Sequence, residues 1–376
     1  VKFLHKMLLD AFNMRASDLH FEPYEHQYRV RFRIDGELKE ISSPPIAIKD
    51  KLASRIKVIS RMDISEKRVP QDGKMKLKVG PDRVIDFRVS TLPTLFGEKI
   101  VIRILDPSSA KLGIDALGYE PEEKERLLSA IGRPYGMILV TGPTGSGKTV
   151  SLYTCLNLLN KPGVNIATAE DPSEINLPGV NQVNVNDKAG LTFAVALKSF
   201  LRQDPDIIMV GEVRDMETAL AATNAAYTGH LVFFTVHAPD AAKTVLRLIQ
   251  LGADPYALAH ALLCFYSQRL LPKLCPNCCK MMKGDAAVIS RFNFSHYYQA
   301  NEKGCQCCSY TGYKGRIPVF EMAFNNEQIT EGILNANLEQ ITHALMQQTT
   351  YRTLTEAALE LSADGKVDYY HATTLE

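Results

Sequence analysis

The sequence predicts an α/β protein in two parts. A mixed α/β unit spans 1–105, and a mostly parallel α/β unit spans 119–376, with a tetracysteine insertion at about 273–315. Three observations predict this. Tyr28, Val30, Phe32 and Ile34 alternate with Arg29, Arg31 and Arg33, the period-two pattern of a strand with one buried face. From 119 onward strand-like and helix-like segments alternate, as in a parallel sheet covered on both faces. A glycine-rich loop, residues 142–149, lies between an apolar strand and a helix.

The opening stretch VKFLHKMLLDAF reads as an amphipathic helix, with no small-residue cleavage site of a secretory signal. Strand pieces follow over 17–42, with a turn at Asp35-Gly36. Helical patterning covers 46–62, and strands are expected at 83–90 and 98–105. Residues 106–118 break the periodicity and read as a linker. Beyond it come a helix at 120–131, a strand at 136–141, a helix at 147–160, and strands ending at Glu170, Gly211 and His237. The tail, 325–366, reads as helical. The chain has no initiator Met, which predicts a piece of a longer protein with a further domain upstream; Leu375-Glu376 reads as a cloning remnant.

Composition narrows the function classes. Hydrophobic residues make up 45% of the 376 and charged residues 23%, enough for packed cores. Lys and Arg number 43 against 42 acids, a net charge of +1, which argues against a chain built to grip nucleic acid. No apolar run approaches the ~18 residues of a membrane span; the segment 256–266 is too short and carries a His. Six of eight cysteines crowd into 275–308, favouring metal over disulfides and hence a reducing cytosol.

Gly142-Pro143-Thr144-Gly145-Ser146-Gly147-Lys148-Thr149 fits the phosphate-binding pattern in full. Its glycines let backbone N–H groups converge on phosphate oxygens, and the helix N-terminus adds partial positive charge. Lys148 is placed to reach the β- and γ-phosphates, and the Thr149 hydroxyl to ligate Mg²⁺. Hydrolysis needs a carboxylate near the metal and the attacking water. The buried strand of DPDIIMVGEVRD ends in Gly211-Glu212, with Gly where an Asp is common, leaving the role to Glu212. A second strand end delivers Glu170 and Asp171, and ligands bind at carboxyl ends of such strands. His230 and His237 flank another strand and lie up to about 23 Å apart, so only His237, at the carboxyl end, is expected at the nucleotide.

Cys275 and Cys278, with Cys305 and Cys308, form two C-x₂-C pairs suited to tetrahedral Zn²⁺; Cys279 and Cys307 blur the register. Cys155 and Cys264 read as core residues of apolar helices.

These segments together resemble a known family. ASDLHFEP, RVRFRIDG, RVSTLPTLFGEKIVIRIL, the phosphate loop, TAEDPSEINLPGVNQVNVN, LRQDPDIIMVGEVRD, TGHLVFFTVH and GCQCCSYTGYKGR are similar to the ATPases of type II secretion and type IV pilus assembly, the pilus-extension branch most of all. The resemblance implies a PAS-like N2 domain followed by a RecA-like ATPase domain, with ATP, Mg²⁺ and Zn²⁺ bound. It implies a homo-hexameric ring at the cytoplasmic side of a bacterial inner membrane, held there only through partners. Those partners are an inner-membrane pilus platform protein and cytoplasmic pilus-assembly proteins, with no nucleic acid, and the work is pilin polymerisation. It assigns 168–186 as an acidic box containing Glu170 and 229–237 as a histidine box, and selects the four zinc cysteines by the GC-x-x-C-x-x-TGYKGR wording. It also draws Arg88 and Arg103, otherwise ordinary strand arginines, to the nucleotide. Two polar positions of the family's histidine box are Ala238 and Pro239 here. A type II secretion motor shares every motif; a nucleic-acid translocase and a non-hydrolysing regulator are the remaining alternatives.

Overall fold

The structure, a computed structural model, describes residues 2–79, 84–105, 113–284 and 294–375. The chain folds as two compact units, Val1–Ser108 and Ser109–Glu376.

The first unit is built on six strands: β1 Ala16–Pro23, β2 Tyr28–Ile34, β3 Glu37–Ser42, β4 Gln71–Lys78, β5 Val84–Thr94 and β6 Gly97–Leu105. They form one antiparallel sheet in the order β3-β2-β1-β6-β5-β4. Two helices, α1 Lys2–Asn13 and α2 Lys49–Ile59, cover one face. The alternation read in β2 is the reason: Tyr28, Val30 and Phe32 are buried with Phe21, Phe87 and Ile102 against Leu4, Leu8 and Ile56. β4, with lysines at every other position from Lys74, gives little apolar signal, and the sequence does not predict it.

The polar face of this sheet is organised by two buried acids. Glu22 pairs with Arg31 at 2.8 Å, Lys99 at 3.2 Å and Arg29 at 3.3 Å. Asp18 takes Arg103 Nε at 2.9 Å. Burial pushes the Glu22 carboxyl up, but hydrogen bonds from Arg31 and Lys99 overcome this and hold it down at about 2.

The second unit is built on a larger sheet. Its inner strands β7 Gly136–Thr141, β8 Ile166–Glu170, β10 Ile207–Val210 and β11 Leu231–Val236 are parallel, extended by β9 Asn181–Asn184 and by β12 Leu262–Leu274. A short hairpin, β13 Lys280–Lys283 with β14 His296–Gln299, stands apart from the sheet. β15 Tyr313–Phe324 closes the edge antiparallel to β12, giving seven strands in the order β15-β12-β7-β11-β10-β8-β9. Successive residues serve opposite faces. Ile138 and Val140 pack towards α3 Pro121–Ile131 and α4 Lys148–Leu159. Met137 and Leu139 pack towards α5 Phe193–Phe200, α6 Met216–Tyr227 and, beyond α7 Ala241–Gln250, α8 Pro255–Ala261. Burial on both faces makes these strands continuous apolar runs. The tail forms α9 Glu327–Leu334, α10 Leu338–Met346, α11 Leu354–Ala363 and α12 Tyr369–Thr373.

One expectation changes. Cys264 lies not in a helix but in β12, where it is buried beside Ile138 of β7. Strand β12 is covered on both faces over most of its length, so it lacks the alternation that would have marked it. Of the expected linker, 106–112 fall outside the described residues, as do 285–293 of the cysteine insertion. Ile114 and Leu117 sit in a 3₁₀ turn and are buried.

Replacing Glu22 by Gln is expected to cost about 2 kcal/mol, since charged hydrogen bonds contribute about 1.5–3 kcal/mol. The folded carboxyl titrates below its ordinary 4.5, so this stabilisation is present above that pH and fades as pH falls towards 2. Urea melts of the wild type and E22Q should therefore differ at pH 7 and converge in acid.

Candidate nucleotide and metal sites

Register brings the site together. Thr141 stands beside Val236, and Val210 beside both Phe234 and Ala169, so β7, β11, β10 and β8 end along one edge. The loop 142–149 leaves β7 at that edge and opens α4. Gly142 has φ +145°, and a Cβ there would lie 2.4 Å from Gln268 O, so no side chain fits. Lys148 Nζ donates to Gly142 O at 2.7 Å and Pro143 O at 3.0 Å. Burial lowers the Lys148 pKa, with repulsion from Arg269 adding to this and the Glu212 charge opposing it. Thr149 is half-exposed and its hydroxyl has no hydrogen bond among the described residues.

The loop after β10 delivers the acid. Gly211 N donates to Ala169 O at 2.8 Å, and Thr235 Oγ1 donates to Gly211 O at 2.6 Å. A Cβ at Gly211 would sit 3.2 Å from Ala169 O and 3.4 Å from Glu170 Cα, both backbone atoms of the neighbouring strand. Glycine avoids this pressure at a place where an aspartate is common. Glu212 Oε1 lies 2.7 Å from His237 Nε2, and Oε2 pairs with Arg214. Burial raises the Glu212 pKa, but the Arg214 hydrogen bond and the charges of Arg214, His237 and Lys148 carry it below its ordinary value.

Glu170 is 4% exposed and accepts from Thr168 Oγ1 at 2.6 Å, Gln182 Nε2 at 3.1 Å and the Tyr153 hydroxyl. Among the described residues it makes no hydrogen bond or ion pair with Lys148 or Glu212. Its link to the loop runs through Tyr153, four residues beyond Thr149 and so on the same face of α4. His230 immediately precedes β11 at the opposite edge, with Nδ1 3.1 Å from Ala225 O. In the first unit Arg103 is held by Asp18 and stands across from Arg88 on the neighbouring strand. The structure thus gathers Lys148, Glu212 and His237. It adds Arg214, Tyr153, Gln268 and Arg269, which no sequence motif singles out. Arg214 has a usable signal, two residues beyond Glu212; the others have none.

The tetracysteine group is formed where β12 and β15 leave the sheet. Cys275 N donates to Gly312 O at 2.9 Å, joining the two knuckles. Cys275 Sγ and Cys305 Sγ are 3.7 Å apart, Cys278 and Cys308 3.9 Å, and Cys305 and Cys308 3.8 Å. A tetrahedron of thiolates at the usual Zn–S distance of ~2.3 Å has sulfurs about 3.8 Å apart. Cys308 Sγ also accepts from Cys305 N at 3.1 Å and Gly312 N at 3.3 Å. The residues therefore fit a zinc ion. Cys279 and Cys307 lie outside the group, and Cys307 faces Lys314 Nζ at 3.2 Å.

The close backbone at Gly211 is testable. Gly211→Ala is expected to lower stability by about 1–3 kcal/mol, as overpacked sites do, in a thermal or urea melt. An unchanged melt would mean that β8 yields.

The chain is similar to known proteins over nearly its whole length. A profile of the family described as type II/IV secretion system protein matches residues 1–373. The type IV pilus assembly ATPase PilB of Acinetobacter baylyi is 55% identical over 341 residues, covering 89% of this chain and 59% of the relative. The type II secretion system protein E of Pectobacterium carotovorum is 45% identical over 334 residues, covering 89% and 67%. The crystal structure of the pilus retraction motor PilT with bound ADP aligns with a TM-score of 0.70 at 27% identity, covering 99% of this chain and 96% of that one. The Legionella pneumophila ATPase DotB shares the fold, with a TM-score of 0.73 at 19% identity over 99% and 94% of the two chains. The chain spans about three fifths of the length of the PilB proteins of Acinetobacter baylyi and Pseudomonas aeruginosa that it matches. With its phosphate loop, acidic strand ends and cysteine knuckles all inside the matched region, the chain belongs to the type II/IV secretion system protein family.

Proposed function

We propose that the chain binds ATP at 142–149 and hydrolyses it as the motor part of a type IV pilus assembly ATPase. The observation that carries this is Glu212, held at the carboxyl end of β10 by His237 and Arg214 within the field of Lys148. The loop N–H groups and Lys148 take the β- and γ-phosphates, Lys148 leaving the Gly142 and Pro143 carbonyls to do so. A Mg²⁺ ion held by Thr149 would neutralise phosphate charge during transfer. Glu212 accepts a proton from a water whose oxygen bonds to the γ-phosphorus. The bond from that phosphorus to the bridging oxygen breaks, releasing ADP and phosphate. His237 fixes the Glu212 carboxylate, and Glu170 holds α4 in place through Tyr153. Arg88 and Arg103 are assigned to the nucleotide by the family resemblance.

The wider reading is a homo-hexamer at the cytoplasmic side of the inner membrane, coupled to a pilus platform protein. Relatives named for pilus assembly at 55%, 52% and 47% identity favour it over type II secretion at 45%. No helix among the described residues is long and apolar enough to cross a membrane.

The test compares phosphate release and binding of a fluorescent ATP analogue by the wild type and Glu212→Gln. Loss of a positioned base is expected to slow release by about 10²–10⁴-fold while binding persists. Wild-type protein that binds but releases no phosphate would leave a nucleotide-binding regulator instead.

We further propose that Cys275, Cys278, Cys305 and Cys308 hold one Zn²⁺ that fixes the two knuckles together. Elemental analysis should find about one zinc per chain. Removing it with a strong chelator should lower the melting temperature, and added zinc should restore it; Cys278→Ser should abolish both effects.

A further inference from the structure

The segment after His237 has few means of its own for holding its shape. Ala238 and Pro239 offer no side-chain hydrogen bond, and Pro239 has no N–H to donate. Yet His237 must be aimed at Glu212 from this segment. Thr141, the last residue of β7, ties the near side: its Oγ1 lies 2.7 Å from Val236 O and 2.9 Å from Ala238 O, and accepts from Ala238 N at 2.9 Å. On the far side Asp240 Oδ1 accepts from Lys243 N at 2.7 Å, while the Pro239 carbonyl is held from β12, at 3.5 Å by Ser267 Oγ and more closely by the next residue but one. Arg269 Nη2 donates to Pro239 O at 2.7 Å.

Arg269 also belongs to the phosphate loop's surroundings. It follows Gln268, whose carbonyl blocks any side chain at Gly142 and whose Oε1 accepts from Ser151 Oγ of α4 at 2.9 Å. Arg269 Nη1 reaches Gln268 O at 3.2 Å and Ser267 Oγ at 3.1 Å, and lies 3.4 Å from where a Cβ of Gly142 would be. Half-buried, the guanidinium has no ion-pair partner among the described residues. All its hydrogen bonds go to neutral oxygens. One rigid, planar group therefore fastens the strand behind the phosphate loop to the turn that carries His237. Arginine suits the task because its donors form a fixed fork.

We propose that Arg269 is a positioning residue for ATP hydrolysis: by clamping the Pro239 carbonyl it fixes the turn after β11 and thereby the aim of His237 at Glu212. This rests on the hydrolytic reading above. It differs from a phosphate contact in its kinetic signature. A group that acts through His237 changes kcat and leaves the binding of ATP alone.

The experiment is a double-mutant cycle on the full chain. Arg269→Gln is expected to lower kcat by about tenfold to a hundredfold, the cost of a misplaced group, with KM for ATP within about twofold. On a His237→Ala background, R269Q should cause little further loss, because the residue through which it acts is gone. Arg269→Lys, which keeps one donor for Pro239 O, should recover part of kcat. If R269Q does not fold, the R269K cycle decides in the same way with a smaller effect. Additive losses on the two backgrounds, or a raised KM with kcat unchanged, would overturn the proposal. A second readout needs no turnover. The imidazole nitrogen shifts of His237 should move in R269Q; if they do not, the clamp is refuted whether or not the chain hydrolyses ATP.

Discussion

Everything at the nucleotide edge depends on the ladder register of four parallel strands. With Thr141 beside Val236 and Val210 beside Ala169, the strands carrying the phosphate loop, Glu212, His237 and Glu170 all stop at one level. A slip of one residue would turn each strand's side chains to the opposite face. It would put Met137 and Leu139 among α3 and α4, and Ile138 and Val140 on the other side. The two apolar cores, one on each face, therefore hold the arrangement of Lys148, Glu212 and His237 as well as the fold. Gly211 shows how tight that packing is, since the chain runs so close to β8 that a methyl group would press on its backbone.

Charge at this edge is matched locally. Lys148 leans on two carbonyls of its own loop, and Glu212 is shared by an imidazole and a guanidinium. A triphosphate arriving here would let Lys148 exchange two neutral carbonyls for anionic oxygens, a stronger charge-assisted pairing. The net attraction comes from groups that are less well satisfied. These are Lys148, which has only neutral carbonyls, and the loop N–H groups at the start of α4. Glu170 contributes differently. Its carboxylate is fully used by Tyr153, Thr168 and Gln182, so it acts as a brace for α4 from the side opposite Gln268 and Ser151.

What was legible in the sequence followed from local chemistry. The alternation in β2 exposed one face of the first sheet. The phosphate loop announced itself by spacing between a strand and a helix. The paired cysteines supplied a ligand set whose sulfur separations match a thiolate tetrahedron. What was not legible depends on long-range pairing. β12 carries Ser, Gln and Arg within an apolar run and is covered on both faces, so neither period marks it. Arg269 works on backbone carbonyls, which leave no trace in residue types. The glycine at 211 was visible as a departure, but its cause lies in the backbone of β8, distant in sequence and adjacent only once the strands pair.

β12 also links the two chemical centres of the second unit. Gln268 and Arg269 stand behind the phosphate loop, and the same strand runs on to Leu274, with Cys275 immediately after it. Six residues of extended chain cover about 20 Å, with β15 paired alongside as far as Tyr313 and its continuation holding Cys305 and Cys308. The cysteine group thus caps the free end of a two-stranded ribbon whose other end abuts the nucleotide loop. Apart from a cross-link there, the ribbon's far end is held by Leu274 N on Lys366 O at 2.9 Å, the Tyr313 hydroxyl on Asp368 at 3.0 Å and the small apolar cluster under α11. Tying the knuckles together would fix the pairing of β12 with β15 at this end, and through that strand the place of Gln268 and Arg269 against the loop. A zinc ion far from the phosphates would then matter to turnover through stiffness of one strand, with no charge acting over that distance.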